Sequence, residues 1–315
     1  MRQVQHLVSV SGGKDSTATY LKAIESGRAF RAVFADTGNE HEITLEYVAT
    51  LAQRTGGPGI ETVRADLSTD LARHRDYILR VWPQQGISQV IVDRAAVLHK
   101  PSGNPFVDLC ILKGRFPSRG AQFCTEELKV LPIIEQRVLP MLKSGPVLQW
   151  VGIRAEESDN RAKQPRYNRH ESGSYLWRPI FNWKLREVWA YHSRHGILPN
   201  PLYAMGFGRV GCFPCINCRK EELRLIADLA PEHIERIAEW EAIIALVSKR
   251  QSATFFAPMK DPTDADTPGE YSRIHKVVEW SRTGRGGRQF DLFFQQQPGG
   301  GCTSDLGLCE LAEAA

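Results

Sequence analysis

Two stretches of this sequence combine residue types and spacings suited to chemistry. The first is Ser11-Gly12-Gly13-Lys14-Asp15-Ser16, set between an apolar run and a helical pattern. Two glycines at a strand-to-helix turn let backbone N–H groups close around an anion at the positive end of the helix, and Lys14 adds a point charge. The spacing is not that of a Walker A loop, because Lys14 is followed by Asp15. The plain alternative is a Gly-Gly turn capped by Ser11. The second stretch, Cys212-Phe213-Pro214-Cys215-Ile216-Asn217-Cys218, has C-x2-C-x2-C spacing and gathers thiolates for a compact metal centre. Iron–sulfur and structural zinc both suit it, with buried unliganded thiols as the plain alternative.

The elements that must position these residues follow from periodicity. Apolar and β-branched runs predict strands at 6–11, 31–36 and 60–65, and helical spacing fills 14–26 and 43–54, with Gly27 and Gly56 where C-caps belong. Alternation of this kind predicts an α/β fold with a doubly wound, mostly parallel sheet, followed by a C-terminal cysteine-cluster and helical region. Residues 86–121 have weak periodicity and read as irregular or inserted. A helix is expected over 126–142, interrupted or ended by Pro132 and Pro140, then a buried strand at 147–153, a helix at 183–195 and helices across 221–250. The expected division is 1–200 for the nucleotide-binding domain, 201–297 for the cysteine and helical region, and 298–315 for a flexible tail.

The chain has 315 residues, enough for a full core, and its 42% hydrophobic and 24% charged residues are ordinary for a globular enzyme. A net charge of +4 fits an anionic ligand and is too small to indicate nucleic-acid binding by itself. No apolar run approaches the ~20 residues that span a bilayer, and the first ten residues do not form a signal peptide. Seven cysteines, three of them clustered, suit a metal site better than a disulfide framework, so a reducing cytoplasmic setting is expected. Cys110 sits in an apolar run and reads as core. Between Arg154 and Arg178, the residues Arg161, Lys163, Arg166 and Arg169 interleave with Tyr167, Tyr175 and Trp177, a composition suited to gripping a polyanion or the phosphates of one nucleotide. A second basic run spans Arg282 to Arg288.

The hexapeptide resembles the signature of the PP-loop adenine-nucleotide hydrolases, and within them the phosphoadenosine phosphosulfate (PAPS) reductase branch. Asp36-Thr37-Gly38-Asn39-Glu40-His41, Cys124-Thr125-Glu126-Glu127-Leu128-Lys129 and Gly152-Ile153-Arg154-Ala155-Glu156-Glu157-Ser158 with Arg161 are similar to further blocks of that branch, in order, over residues 6 to about 225. Three blocks follow expected strands, so they converge on the edge where open parallel sheets bind ligands. The resemblance implies an ATP site formed by Ser11, Gly12, Gly13, Lys14, Asp15, Ser16, Asp36, Gly152 and Arg154, with Lys14, Asp15 and Arg154 catalytic and Mg2+ at the phosphates. Asp36 would meet the adenosine, while Lys14 and Arg154 would neutralise phosphate charge. It also implies a [4Fe–4S] cluster on Cys124, Cys212, Cys215 and Cys218, although the family often has a Cys-Cys pair where this chain has Cys124-Thr125.

In type the chain resembles the DNA phosphorothioation proteins DndC and SspD. That implies an ATP pyrophosphatase and sulfurtransferase that adenylates an acceptor, with DNA and a cysteine desulfurase or other sulfur donor protein as partners. A PAPS or adenylyl-sulfate reductase is the alternative, and a nucleotide-sensing module without turnover is the third reading. The reductases carry a catalytic tail cysteine in a Cys-Gly-x-His type motif. Here Cys302 is followed by Thr303, and Leu308-Cys309-Glu310 has no following histidine.

Overall fold

The computed structural model describes residues 3–256 and 272–284. β1 (Gln5–Ser9), α1 (Lys14–Glu25), β2 (Phe30–Ala35), α2 (Glu42–Thr55) and β3 (Ile60–Val63) alternate as the periodicity predicts. The chain then leaves the sheet for α3 (Ser68–Val81), α4 (Gln89–Leu98) and α5 (Pro105–Lys113). A helical run over residues 123–142, α6, leads back to β4 (Val147–Trp150). The short α7 (Asp159–Ala162), the antiparallel pair β5 (Tyr167–Arg169) and β6 (Tyr175–Trp177), α8 (Leu185–Arg194) and α9 (Pro201–Ala204) follow. Last come α10 (Lys220–Leu229), α11 (Pro231–Val247) and α12 (Ile274–Ser281).

The sheet order is β3-β2-β1-β4-β6-β5, parallel throughout except for the edge strand β5. The consecutive apolar residues Leu7 and Val8 of β1 are both buried because both faces of the strand are covered. Leu7 joins Val33, Val147 and the α6 residues Ile133 and Val138 on one face. Val8 joins Ala32, Phe34, Trp150 and residues of α1, α2 and α8 on the other. The chain winds outward from β1 to β3 and then crosses to β4 on β1's other side. The β1/β4 border is therefore a topological switch point, where the loops after the two strands part and leave a crevice.

Two compact units result: one of residues up to Ala65 with Thr125–Phe213, and one of Asp66–Cys124 with Pro214–Gln296. A single border at residue 200 does not describe this division. Residues 66–124 leave the sheet between β3 and β4 as a helical insertion and belong with the later helices. The expected tail 298–315 lies outside the described residues.

Residues 86–121 are not irregular. α5 starts at Asn104, whose side chain accepts from the N–H groups of Phe106 and Val107, carries Pro105 in its first turn, and ends at Gly114 with φ 61°. Its residues from Pro105 to Ile111 are all buried, so no polar face marks its period. In α6 the prolines do not end the helix. A π segment, Glu126–Val130, precedes Pro132, and a second, Ile134–Val138, precedes Pro140. The wider turns accommodate rings that cannot donate to a carbonyl one α-turn back.

Candidate active site

The loop after β1 is shaped by its glycines and tied by its serines. Gly12 has φ 79°, and a Cβ there would stand 2.7 Å from Thr44 Cγ2 on α2. Ser16 Oγ donates to the Gly13 carbonyl (3.0 Å) and accepts from both the N–H (3.0 Å) and the hydroxyl (3.1 Å) of Ser11. Gly13 is the extended N-cap of α1 and no side chain caps that end. The positive end of this twelve-residue helix thus lies at the switch point with no hydrogen bond from an N-cap side chain, although the Tyr203 hydroxyl takes the Lys14 N–H.

Charged side chains are packed around this end. Lys14 and Asp15 are almost fully buried, with Nζ 3.5 Å from Asp15 Oδ2. Asp15 Oδ1 accepts from Arg154 Nε at 2.5 Å, and Arg154 is completely buried and also donates to Glu156 (2.8 Å). Asp15 Oδ2 receives no hydrogen bond. Gly152 is what lets β4 approach: a Cβ there would stand 2.8 Å from the Asp15 carbonyl oxygen and 2.9 Å from the Ser16 nitrogen. Next to it, Glu157 accepts from the Arg154 N–H (2.8 Å) and pairs with buried Arg161. Burial raises the Glu157 carboxyl pKa, against the pull of Arg161 and with a like-charge push from Asp15.

Three residues far along the chain close on the same loop. The Lys14 N–H donates to the Tyr203 hydroxyl (3.0 Å), and its ammonium lies 5.4 Å from the Tyr203 ring centre. The Lys14 carbonyl accepts from His192 Nε2 (2.8 Å), an imidazole whose pKa burial lowers. Asn200 donates to the Gly12 carbonyl (3.3 Å) and to Thr44 Oγ1 (3.0 Å). No local pattern marks these residues. Only the Asn-Pro start of α9 is visible in the sequence.

Asp36 stands at the end of β2, one strand over. Its Oδ2 holds Arg64 through Nε (2.8 Å) and Nη2 (2.7 Å), and its Oδ1 accepts from the Gly38 N–H (2.9 Å). In the same block, buried Glu40 accepts from the N–H (3.0 Å) and hydroxyl (2.7 Å) of Thr37. Burial pushes its carboxyl pKa up, and Lys129 acts in the opposite sense. Glu40 also forms a β-bridge with Cys212, and the Phe213 N–H donates to the Asn39 carbonyl (2.6 Å). Cys212 is therefore anchored to the loop after β2.

The other cysteines belong to the second unit. Cys215 and Cys218 form a tight turn in which the Cys218 N–H donates to the Cys215 carbonyl (2.9 Å) and the Asn217 N–H to the Cys215 sulfur (3.4 Å). A backbone N–H aimed at sulfur fits a ligating cysteine. Cys124 is half-buried at the start of α6. Cys110 is core, as expected, and burial pushes its thiol pKa well up, with Cys124 adding to the rise. Cys302 and Cys309 lie outside the described residues.

The sequence profile of the phosphoadenosine phosphosulfate reductase domain matches residues 5–218, from β1 through the last clustered cysteine. The chain belongs to this PAPS reductase family. An uncharacterized 37.8 kDa protein of Escherichia phage 186 is 42% identical over 97% of this chain and 96% of its own length. An adenosine 5'-phosphosulfate reductase of Streptomyces coelicolor is 40% identical over 20% of this chain and 28% of its own. Among solved structures, the PAPS reductase of Candida auris in a phosphate complex shares 17% identity over 67% of this chain and 82% of that one, with a TM-score of 0.40. The chain spans nearly all of the phage 186 protein but only 41% of a Methanocaldococcus jannaschii relative.

For this member of the PAPS reductase family, the structure brings Ser11 to Ser16, Gly152 and Arg154 into direct contact and sets Asp36 on the neighbouring strand end. It does not support the basic loop as a single exposed surface. Arg154, Arg161 and Arg178 are interior, Arg178 donating to the Pro165 carbonyl (2.7 Å) and Asn168 (2.6 Å). Lys163, Arg166 and Arg169 remain exposed beside the stacked rings of Tyr167 and Tyr175. In the second basic run, Arg282 pairs with Asp228 at 2.8 Å, and residues beyond 284 lie outside the described part.

Proposed function

We propose that the chain is a PP-loop ATP pyrophosphatase that adenylates an acceptor for sulfur transfer, in DNA phosphorothioate modification. The observation that carries this reading is the glycine-capped start of α1 at the switch point, with Lys14 and Asp15 buried beside it and Arg154 locking Asp15 in place. An acceptor oxygen would attack the α-phosphorus as the bond to the β-phosphate breaks and pyrophosphate leaves. Sulfur would then displace AMP from the adenylated acceptor. Lys14 and the helix end would stabilise charge growing on the leaving group, and Asp15 would hold Mg2+, which would supply further charge compensation there. Arg154 acts here by positioning Asp15, since its guanidinium is buried and paired.

Cys124, Cys212, Cys215 and Cys218 are the thiolates that would hold a [4Fe–4S] cluster, a group that supplies sulfur or electron chemistry when bound. The turn at Cys215, with its N–H to sulfur bond, supports ligation. DNA and a cysteine desulfurase or other sulfur donor protein are the proposed partners, in a cytoplasmic setting. A second reading, reduction of a sulfated adenine nucleotide to sulfite, is favoured by the partial matches to adenosine 5'-phosphosulfate reductases.

Anaerobically purified full-length protein, supplied with ATP and Mg2+, is expected to yield AMP and pyrophosphate and to contain iron and acid-labile sulfide. Sulfite released from a sulfated nucleotide with a thiol donor, with no pyrophosphate from ATP, would establish the second reading instead.

A further inference from the structure

The second unit contains a cavity of about 1000 Å3 between the end of α3, the segment after α5 and the segment after α11. That volume matches a whole small-molecule ligand rather than a bare ion. Four cationic side chains line it, Lys113, Arg115, Lys249 and Arg250, and no carboxylate does so among the described residues. Arg115 and Lys249 have no acidic partner among the described residues, so the cavity holds an excess of positive charge. His74, also on the wall, feels that charge: burial and then the nearby Lys249 and Lys113 hold its pKa below the ordinary histidine value.

Two polar groups of the wall call for partners of opposite kinds. Trp82 is 3% exposed, and its indole N–H is buried without a hydrogen-bond acceptor. A buried donor of this kind requires an oxygen to accept from it. His74 presents the complementary group. The carbonyl of Ala95 can only accept, so His99 Nδ1 carries the proton of their 2.7 Å bond. His99 Nε2 then accepts from His74 Nδ1 at 2.9 Å, which leaves His74 Nε2 as an acceptor. The aromatic rings of Phe116 and Phe255, 5.4 Å apart, complete an apolar side.

We propose that this cavity is a binding site for a nucleoside phosphate. The phosphate oxygens meet Arg115, Lys249 and the Trp82 N–H, a ribose or amino donor meets His74 Nε2, and the base packs on the apolar side. Residues 247–256 of the wall lie beyond the matched family domain, which ends at residue 218. The rest of the wall, from His74 to Ser118, lies within that domain. The same chemistry is presented by a free mononucleotide and by a nucleotide within a DNA strand.

The test uses full-length protein carrying Lys14→Ala, which silences the loop after β1, and calorimetric titration with AMP, inorganic phosphate and a short single-stranded oligonucleotide. AMP or the oligonucleotide is expected to bind in a salt-sensitive manner and more tightly than phosphate, and whichever binds better identifies the source. Arg115→Glu with Lys249→Glu, both at exposed positions, is expected to weaken that binding at least tenfold with an unchanged thermal midpoint. Trp82→Phe, which keeps an aromatic ring and removes the donor, is expected to weaken it several-fold. Binding that is the same with and without the two charge reversals, or absent for all three probes, overturns the proposal. A loss of pyrophosphate release confined to Lys14→Ala bears on the loop alone and leaves this site standing.

Discussion

Lys14 and Asp15 are neighbours in sequence but do different work, and their substitution should separate the two. In the proposed pyrophosphatase Lys14 offers charge to phosphate, so Lys14→Ala is expected to reduce pyrophosphate release at least 100-fold while the thermal transition stays cooperative. Asp15→Ala takes one of two carboxylate partners from the buried Arg154 guanidinium, Glu156 being the other, and losing one partner of a buried donor costs about 1–3 kcal/mol. That variant is expected to lose activity and also to unfold at distinctly lower urea, which chemical denaturation will show. Gly152→Ala places a methyl group against the backbone of Asp15 and Ser16. Backbone there cannot yield as a flexible side chain would, so a loss of roughly 1–3 kcal/mol and a displaced loop are expected. Wild-type activity and midpoint in that variant would refute the close approach.

Among the elements, α4 carries a titratable group at its end that ties helix stability to pH. Burial pushes His99 down to about 4, while an unfolded histidine titrates near 6.5. Above pH 6.5 neither state binds the proton. As the pH falls from 6.5 toward 4 the unfolded chain takes up a proton that the folded chain refuses, so stability declines across that window and the effect levels off below it. Between pH 7.5 and 5 the loss from this residue is expected to be roughly 2 kcal/mol. Urea midpoints at the two pH values measure it, and His99→Gln should flatten the difference. An equal slope in both proteins would assign the pH dependence elsewhere. The π segments of α6 belong to the same scale: they are how one helix keeps two prolines and still covers a face of the sheet.

For the molecule as a whole, the sheet edge decides what surface a polyanion would meet. Lys163, Arg166 and Arg169 are exposed around the β5/β6 pair, where Tyr167 and Tyr175 stack with ring centres 5.6 Å apart. If DNA is the acceptor, Arg166→Glu with Arg169→Glu is expected to weaken DNA association at least tenfold at low salt and to reduce the salt dependence by about two phosphate contacts. Pyrophosphate release without DNA should be unchanged, because neither residue touches the loop. Filter binding at several salt concentrations tests this, and unchanged affinity would remove the hairpin from the interface.

The sequence by itself determined the strands β1 to β4 and the loops that follow them. Apolar runs, cap glycines and the Ser11 to Ser16 hexapeptide are local signals, and their physical meaning does not depend on distant partners. The same holds for the grouping of loop residues at one sheet edge, since parallel connections bring strand ends together. Tertiary structure decided which charges are solvated. Arg154, Arg161 and Arg178 look like a basic loop in sequence, yet Asp15, Glu157 and the oxygens of Pro165 and Asn168 draw them inside. It also decided that Tyr203, His192 and Asn200 hold the loop at Lys14 and Gly12. Contacts across nearly two hundred residues leave no trace in local periodicity, and a fully buried helix such as α5 leaves no polar face to reveal it.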